Sequence, residues 1–369
     1  MFVLQVGVHV SRKTILVTGA AGFIGSHLAE ALLARGDRVV GLDNMDDYYD
    51  VAMKRDNISR SCSDRQYEFI PGDIRDERLL VRLFERVKFD AVVHLAARAG
   101  VRPSLLEPAL YDQVNVVGTT RVLDAAREFG VPHFVFGSSS SVYGASSTPP
   151  FRETDAADRP CSPYAATKRA SELSCHTYHH LYGMTITCLR FFTVYGPRQR
   201  PEMAIHRFAQ LIADRRPINL YGDGSSRRDY TYVDDIVGGV LAAIDRPNGY
   251  RIYNLGTTDT TPLLGLVEKI ASRLGREALI NHASDQAGDV PLTHADISRA
   301  QAELGYNPRI RIDEGLDRFI EWFDANRERL ARAAADARID GRPANPDVME
   351  LEARILDAHE RALEDGVHA

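Results

Sequence analysis

Four cysteines are spread over 369 residues, at positions 62, 161, 175 and 188, and no two of them stand in C-x-x-C spacing. They do not make a disulfide framework, so a reducing, cytoplasmic compartment is expected. No stretch is apolar over the 18 or more residues that a membrane span needs. The opening MFVLQVGVHVSRK is too short, and its charge order is wrong, for a secretory signal. Excess positive charge is lacking too. Forty-five Lys and Arg against 51 Asp and Glu leave a formal net charge of −6, which gives no reason to expect nucleic acid or an anionic membrane as partner. Any anion must therefore be bound locally. There is no repeat period and no low-complexity linker. At this length, with 44% hydrophobic and 26% charged residues, one large α/β unit or two apposed lobes are expected.

What is present is alternation. "TILVTG" is a β-branched run, "AAGFIG" a glycine-punctuated turn, "FIGSHLAEALLARG" has helical apolar spacing and "DRVVGLD" is a second buried strand. Strand-like "YEFIPGD", "DAVVHLA", "HFVFGSS" and "MTITCLRFF" then alternate with helical "ERLLVRLFERV", a long stretch from about Leu110 to Phe129 and a helix around Tyr164. This order predicts an α/β fold with a Rossmann-type doubly wound parallel sheet. The Rossmann domain is placed at residues 1–190. "RRDYTYVDDIVGGVLAAID" predicts a segment returning to it at about 229–256. Residues 191–228 and 257–328, richer in Pro and Gly, are expected to form a smaller substrate-binding lobe. Residues 329–369 read as charged helix around a "GRPANP" break, either an oligomer contact or a partly ordered tail.

Gly19, Gly22 and Gly25 lie between a strand and a helix. The first glycine permits the tight turn, the second lets the backbone approach a pyrophosphate, and the third allows close helix–strand packing. The N–H groups of the helix start then hold the phosphates. Asp43 ends the next strand, where a carboxylate accepts hydrogen bonds from a ribose diol and repels a 2′-phosphate. NAD is therefore the expected cofactor. Asp73 ends a third strand, where two roles stay open: meeting the adenine ring or capping the helix that begins near "RDERLL".

In "SPYAATKRASE", Tyr164 and Lys168 are one helical turn apart and share a face. A phenol near pKa 10 is a poor base at neutral pH. A neighbouring ammonium and a positive nicotinamide ring would both lower that pKa. Tyrosinate then takes the proton of a substrate hydroxyl while hydride leaves the same carbon for the nicotinamide. The serine run of "FGSSSSVYG" follows directly on a parallel strand, at the end where such sheets bind ligands.

The glycine loop, "DAVVHLAA", "SSSSVYG", "YAATK" and "RDYTYVDD" occur in the order seen in extended short-chain dehydrogenases/reductases, the nucleotide-sugar epimerase and dehydratase group, and the resemblance covers roughly residues 13–325. "LDNMDDYYDVAMKRDNI", "RFFTVYGPRQRPEMAI" and "GDVPLTHADIS" resemble UDP-glucuronate 4-epimerases in particular. The resemblance makes Tyr164 the base, Lys168 its partner and Ser139 the hydroxyl aligned on the sugar O4, with Ser138 and Ser140 beside it. It extends the cofactor groove to Phe23, Ile24, Asn44, Ile74, Leu95, Ala96, Ala97 and Asn115. It puts Arg228 on the diphosphate, Asp289 near the uridine ribose, and Arg98 and Tyr221 among the substrate contacts. Two features depart from the family pattern: Arg98 stands where uronate epimerases usually have glutamine, and the extension past about Arg329 has no matched counterpart.

Dehydratases and decarboxylases of this group resemble one another in placing an acidic residue just before "VYG", where this chain has Ser141. A redox inversion at C4 needs no such group, so epimerisation is favoured. Thr193 follows Phe191 and Phe192 where the UDP-galactose 4-epimerase pattern has asparagine, and Arg198 and Arg200 stand close behind. Arginine's planar fork suits a carboxylate, so the expected substrate is a UDP-hexuronate, converted between UDP-glucuronate and UDP-galacturonate. Pairing of these arginines with the diphosphate or with each other is the alternative. A neutral UDP-hexose (or N-acetyl form) epimerase, a UDP-glucuronate decarboxylase and a non-catalytic NAD-binding regulator remain as other functions. A homodimer is expected, because the Leu110–Phe129 and Tyr164 helices resemble the family's four-helix interface.

Overall fold

The computed structural model describes residues 12–144, 148–283 and 290–339, with side chains as far as Arg329. Strands β1 (Thr14–Thr18), β2 (Arg38–Asp43), β3 (Tyr67–Pro71), β4 (Ala91–His94), β5 (His133–Ser139) and β6 (Thr185–Phe191) form one sheet with the later strand Tyr250–Leu255. The order is Tyr250–Leu255, β6, β5, β4, β1, β2, β3, and every pairing is parallel. Strand order therefore reverses between β1 and β4, and their carboxyl ends open the crevice in which such sheets hold ligands.

Successive strand residues feed two cores. Ile15, Val17, Val93 and Val135 pack on one face with Leu28 and Leu32 of α1 (Phe23–Ala34). Leu16, Val92, Phe134 and Phe136 pack on the other with Leu80 and Leu83 of the helix Glu77–Arg86 and Val122 of the helix Gly118–Glu128. Burial on both faces explains why these strands read as continuous apolar runs. The stretch expected as one helix from Leu110 is helical from Pro108, but its middle, Asp112–Val117, is a π-helix. The wider turn buries Asn115. Its amide accepts from the Arg98 N–H at 2.8 Å and donates to the Arg98 carbonyl at 2.9 Å and to Thr167 Oγ1 at 3.0 Å.

Beyond Phe191 the elements are short. Thr193–Tyr195 pairs with Tyr230–Tyr232, Arg227–Arg228 with Thr261–Pro262, and Ile218–Tyr221 with Ile280–Ala283. The helix Val233–Asp245 packs on α1 and leads to the seventh sheet strand. The helix Ile312–Ile339 buries Phe319 and Phe323 against His206. Among the described residues no helix is long and apolar enough to cross a membrane. The "GRPANP" break lies outside them.

Candidate active site

Gly19 sits at φ +70°, and a Cβ there would lie 2.8 Å from the Ala96 nitrogen. A Cβ on Gly25 would come within 2.1 Å of the Gly19 carbonyl oxygen, and one on Gly22 within 3.1 Å. The loop is thus pressed flat against the start of α1, whose N-cap is Gly22 with no side chain capping it. Its first-turn N–H groups stay available to an anion. Phe23 and Ile24 pack their side chains into the core, so only their backbone can serve a phosphate. Thr18 Oγ1 accepts from the Leu95 and Ala96 N–H groups at 3.2 and 3.1 Å, drawing the Leu95–Ala97 loop against Gly19. These residues form a cradle that any side chain would fill, and they fit a dinucleotide pyrophosphate.

Asp43 closes β2 and accepts from the Ala21 and Met45 N–H groups at 3.1 and 2.9 Å. A carboxylate has about four acceptor positions, so it retains capacity for a ribose diol. Asp73 does not cap the following helix. That cap is Asp76, which accepts from the Leu79 N–H at 3.0 Å. Asp73 instead pairs with Arg75 at 2.7 Å and accepts from Asn44 at 3.0 Å, and hydrogen bonding from Arg75 holds its carboxyl at about 2. Ile74 is a core residue.

Tyr164 and Lys168 project from the helix Pro163–Tyr182, which Ser162 caps by accepting from the Ala165 N–H at 3.1 Å. Tyr111 packs edge-on against Tyr164 with ring centroids 6.2 Å apart. Burial raises the Tyr164 phenol, while the Ser139 hydroxyl and the Arg200 guanidinium pull it back. Arg200 thus adds a charge on the phenol, beyond the expected Lys168 and nicotinamide, that the sequence did not suggest. The lysine turns to β5: its ammonium donates to the Gly137 carbonyl at 2.7 Å and lies 4.9 Å from the Phe136 ring centroid. Burial lowers it to about 8, against the raising effect of Cys175 and Glu172.

Of the serine run, Ser139 faces the site, and its Oγ lies 3.1 Å from Ser141 Oγ. Ser138, one residue earlier on the same strand, must point to the opposite face. It donates to Glu172 at 2.7 Å inside the protein, which removes it from the candidate catalytic groups. Ser140 begins the short helix Ser140–Tyr143. Glu172 in turn holds the buried Arg190 through two hydrogen bonds of 2.9 and 2.8 Å. This pair locks the Tyr164 helix to β6. Sequence reading missed it: Glu172 closes "SPYAATKRASE" and Arg190 opens "RFFTVYGPRQRPEMAI", but only the fold brings the two together.

A cluster of charges and rings lies beside Tyr164. Arg98 pairs with Asp46 at 2.6 Å and Glu107 at 3.4 Å, with its guanidinium 4.7 Å from the Tyr48 ring centroid. Arg200 approaches the same ring at 5.7 Å and pairs with Glu202 at 3.1 Å. Lys54 is buried over Tyr49 at 4.8 Å, on a helix tied to the glycine loop by Asn57 donating to the Ala21 carbonyl at 3.0 Å. Arg198 turns elsewhere and pairs with Glu30 of α1 at 2.8 Å. Thr193 is half-buried, and its N–H bonds the Asp229 carbonyl at 3.1 Å. Tyr221 lies under the Arg102 guanidinium at 4.7 Å, a partner the sequence did not suggest. Arg228 sits on a two-residue strand beside the buried Asp229. Asp289 lies outside the described residues.

A doubly wound sheet, a glycine-lined phosphate cradle and a Ser–Tyr–Lys set at the strand ends define an extended short-chain dehydrogenase/reductase. More narrowly, residues 16–319 match the family described as GDP-mannose 4,6 dehydratase, and the chain belongs to it. Several of its relatives within that broad family are named epimerases. It is 44% identical over 314 residues to a UDP-glucuronate 4-epimerase of Thermodesulfobacterium geofontis, covering 85% of this chain and 97% of that one. The solved UDP-glucuronic acid 4-epimerase of Bacillus cereus, in complex with UDP-glucuronic acid and NAD, superposes with a TM-score of 0.80 at 35% identity, covering 85% of this chain and 99% of that one. A UDP-glucose 4-epimerase of Thermotoga maritima with UDP-glucose gives 0.79 at 31% identity, over 85% and 99%.

Proposed function

We propose that this protein interconverts UDP-glucuronate and UDP-galacturonate, with NAD as its held cofactor. The observation that carries the choice of sugar is Arg200. Its guanidinium lies 5.7 Å from the Tyr48 ring centroid and pulls down the Tyr164 phenol. A hexuronate bears its carboxylate on C5, next to the C4 whose hydroxyl Tyr164 must meet, so a cation beside the phenol is also beside the carboxylate. When bound, NAD supplies a hydride acceptor that returns what it takes. Tyr164 removes the proton from O4 and later restores it, and Ser139 hydrogen-bonds the same oxygen. Thr193 and Arg200 orient the carboxylate, and Tyr221 and Arg228 serve the nucleotide end. The relatives' printed substrates support this reading. Ser141, where an elimination would want an acid, supports epimerisation over dehydration.

A two-lobed arrangement, with residues 191–228 and 257–328 as the sugar-nucleotide lobe, is part of the proposal, as are a cytoplasmic location and a homodimer. The dimer is supported by Leu173, Leu181, Tyr182 and Val117, which are large, apolar and exposed on the two helices expected to meet. One observation favours a neutral hexose instead: Arg200 already has a counter-ion in Glu202. Incubation with UDP-glucuronate and, separately, UDP-glucose, followed by chromatography of the products, tests the choice. The proposal expects UDP-galacturonate as the main product and far slower turnover of UDP-glucose. The reverse ranking overturns it.

A further inference from the structure

Two buried or nearly buried arginine–glutamate pairs in this chain are built differently. Arg190 and Glu172 make two directed hydrogen bonds at 2.9 and 2.8 Å, the geometry of a locked pair. Arg200 and Glu202 are nearly as close, Nε to Oε1 at 3.1 Å, with both side chains less than a fifth exposed. Yet Glu202 Oε1 is buried without a hydrogen bond. Nearness of charge holds this second pair, with no directed hydrogen bond at Oε1. The backbone keeps the two together. Gln199, just before Arg200, is fixed by its amide donating to the Val194 carbonyl at 3.0 Å, and the Met203 N–H closes a turn on the Arg200 carbonyl at 3.1 Å. Glu202 therefore stays within reach of Arg200 whatever else that guanidinium binds.

The reaction proposed above gives such a loose pair a task. After O4 loses its proton and C4 its hydride, the 4-keto ring must turn over to present its other face. The carboxylate on C5 turns with it and must leave Arg200. A guanidinium 18% exposed and 5.7 Å from the Tyr48 ring centroid pays heavily for standing without a counter-ion. We propose that Glu202 is a positioning residue, an internal carboxylate that takes Arg200 while the sugar's own carboxylate is released. The same negative charge repels the bound hexuronate, so it loosens the ground state and eases the turn, and only binding not shared with the turning ring is spared.

This inference rests on the hexuronate reading, and Glu202→Gln tests it with the whole enzyme. Calorimetric binding of UDP-glucuronate should tighten about tenfold, with kcat falling by a similar factor and kcat/KM nearly unchanged. UDP-glucose binding should move less than about twofold, since it has no carboxylate to repel. Glu202→Asp, which keeps the charge on a shorter arm, should restore most of kcat. Should the glutamine variant misfold, the aspartate variant is compared with wild type on the same two sugars, and a smaller change of the same sign is expected. A loss of kcat with no tightening of UDP-glucuronate, or equal tightening of both sugars, overturns the role. Failure of wild type to epimerise UDP-glucuronate would instead overturn the function, and the binding comparison would still report on Glu202.

Discussion

Replacing Arg200 with alanine removes a cation that pulls down the Tyr164 phenol. A charge-assisted contact to a carboxylate contributes about 1.5–3 kcal/mol, so UDP-glucuronate binding should weaken roughly ten- to a hundredfold at about 1.4 kcal/mol per decade. The loss should fall at the upper end, because the substitution leaves Glu202, 17% exposed in its side chain, facing the substrate carboxylate with no cation between. Adding Glu202→Gln should then recover part of the affinity, a coupling that a double-mutant cycle measures directly. UDP-glucose carries CH2OH in place of the carboxylate and should weaken by no more than about threefold. A second consequence is chemical. Oxidation at C4 makes a β-keto acid, and when its C5–C6 bond stands perpendicular to the ketone plane that bond breaks, releasing CO2 and leaving an enolate that takes a proton. A carboxylate no longer held near the ketone plane should let some UDP-pentose and CO2 appear beside the epimer. Calorimetry on both nucleotides and chromatography of the products read these effects. Equal weakening for both sugars, with no pentose, would refute the reasoning and return Arg200 to the diphosphate.

Tyr164→Phe keeps the ring that packs on Tyr111 and removes the base. It should cost about three or more orders of magnitude in kcat with little change in UDP-glucuronate binding, which single-turnover kinetics and calorimetry check together. Asp43→Ala removes the acceptor at the end of β2, so the dinucleotide released on denaturing the purified protein should fall well below one per chain. Recovery of NADP from wild type would contradict the role given to Asp43. Glu172→Ala strands Arg190, which is 1% exposed, and an uncompensated buried charge costs about 3–5 kcal/mol, seen as a lowered Tm. Burial alone would raise the Glu172 carboxyl, but Arg190 and Ser138 hold it below its ordinary value. Its contribution is therefore present above the unfolded carboxyl's pKa near 4.3 and lost as pH falls through the lower folded one. Wild type and the alanine variant should converge in Tm on acidification.

The sheet was legible because its strands are buried on both faces and its helices on one. "TILVTG" and "HFVFGSS" cannot alternate polar residues without exposing them to a core. The glycine loop was legible because Gly19 and Gly25 stand where any Cβ collides with backbone. The π-turn at Asp112–Val117 was not, since it depends on Asn115 reaching Arg98 and Thr167, residues brought near only by the fold. Ser138 was grouped with Ser139 because they are adjacent in sequence, yet adjacency on a strand separates side chains to opposite faces. Asp76 took the cap considered for Asp73 because β3 ends at Pro71, two residues before Asp73, and the helix begins only at Glu77. Lys168 was read beside Tyr164 from helical spacing and from the resemblance. Its ammonium also bonds the Gly137 carbonyl, and a further charge reaches the phenol from Arg200 in another segment, which no local pattern announces.

The most direct test of the account is the fate of the hydrogen at C4. UDP-glucuronate deuterated at that position, incubated with the purified protein and no added reductant, should yield UDP-galacturonate with the deuterium still on C4. No NADH should accumulate in solution. Product in which the label has been lost to water, or NADH formed in proportion to turnover, would contradict it.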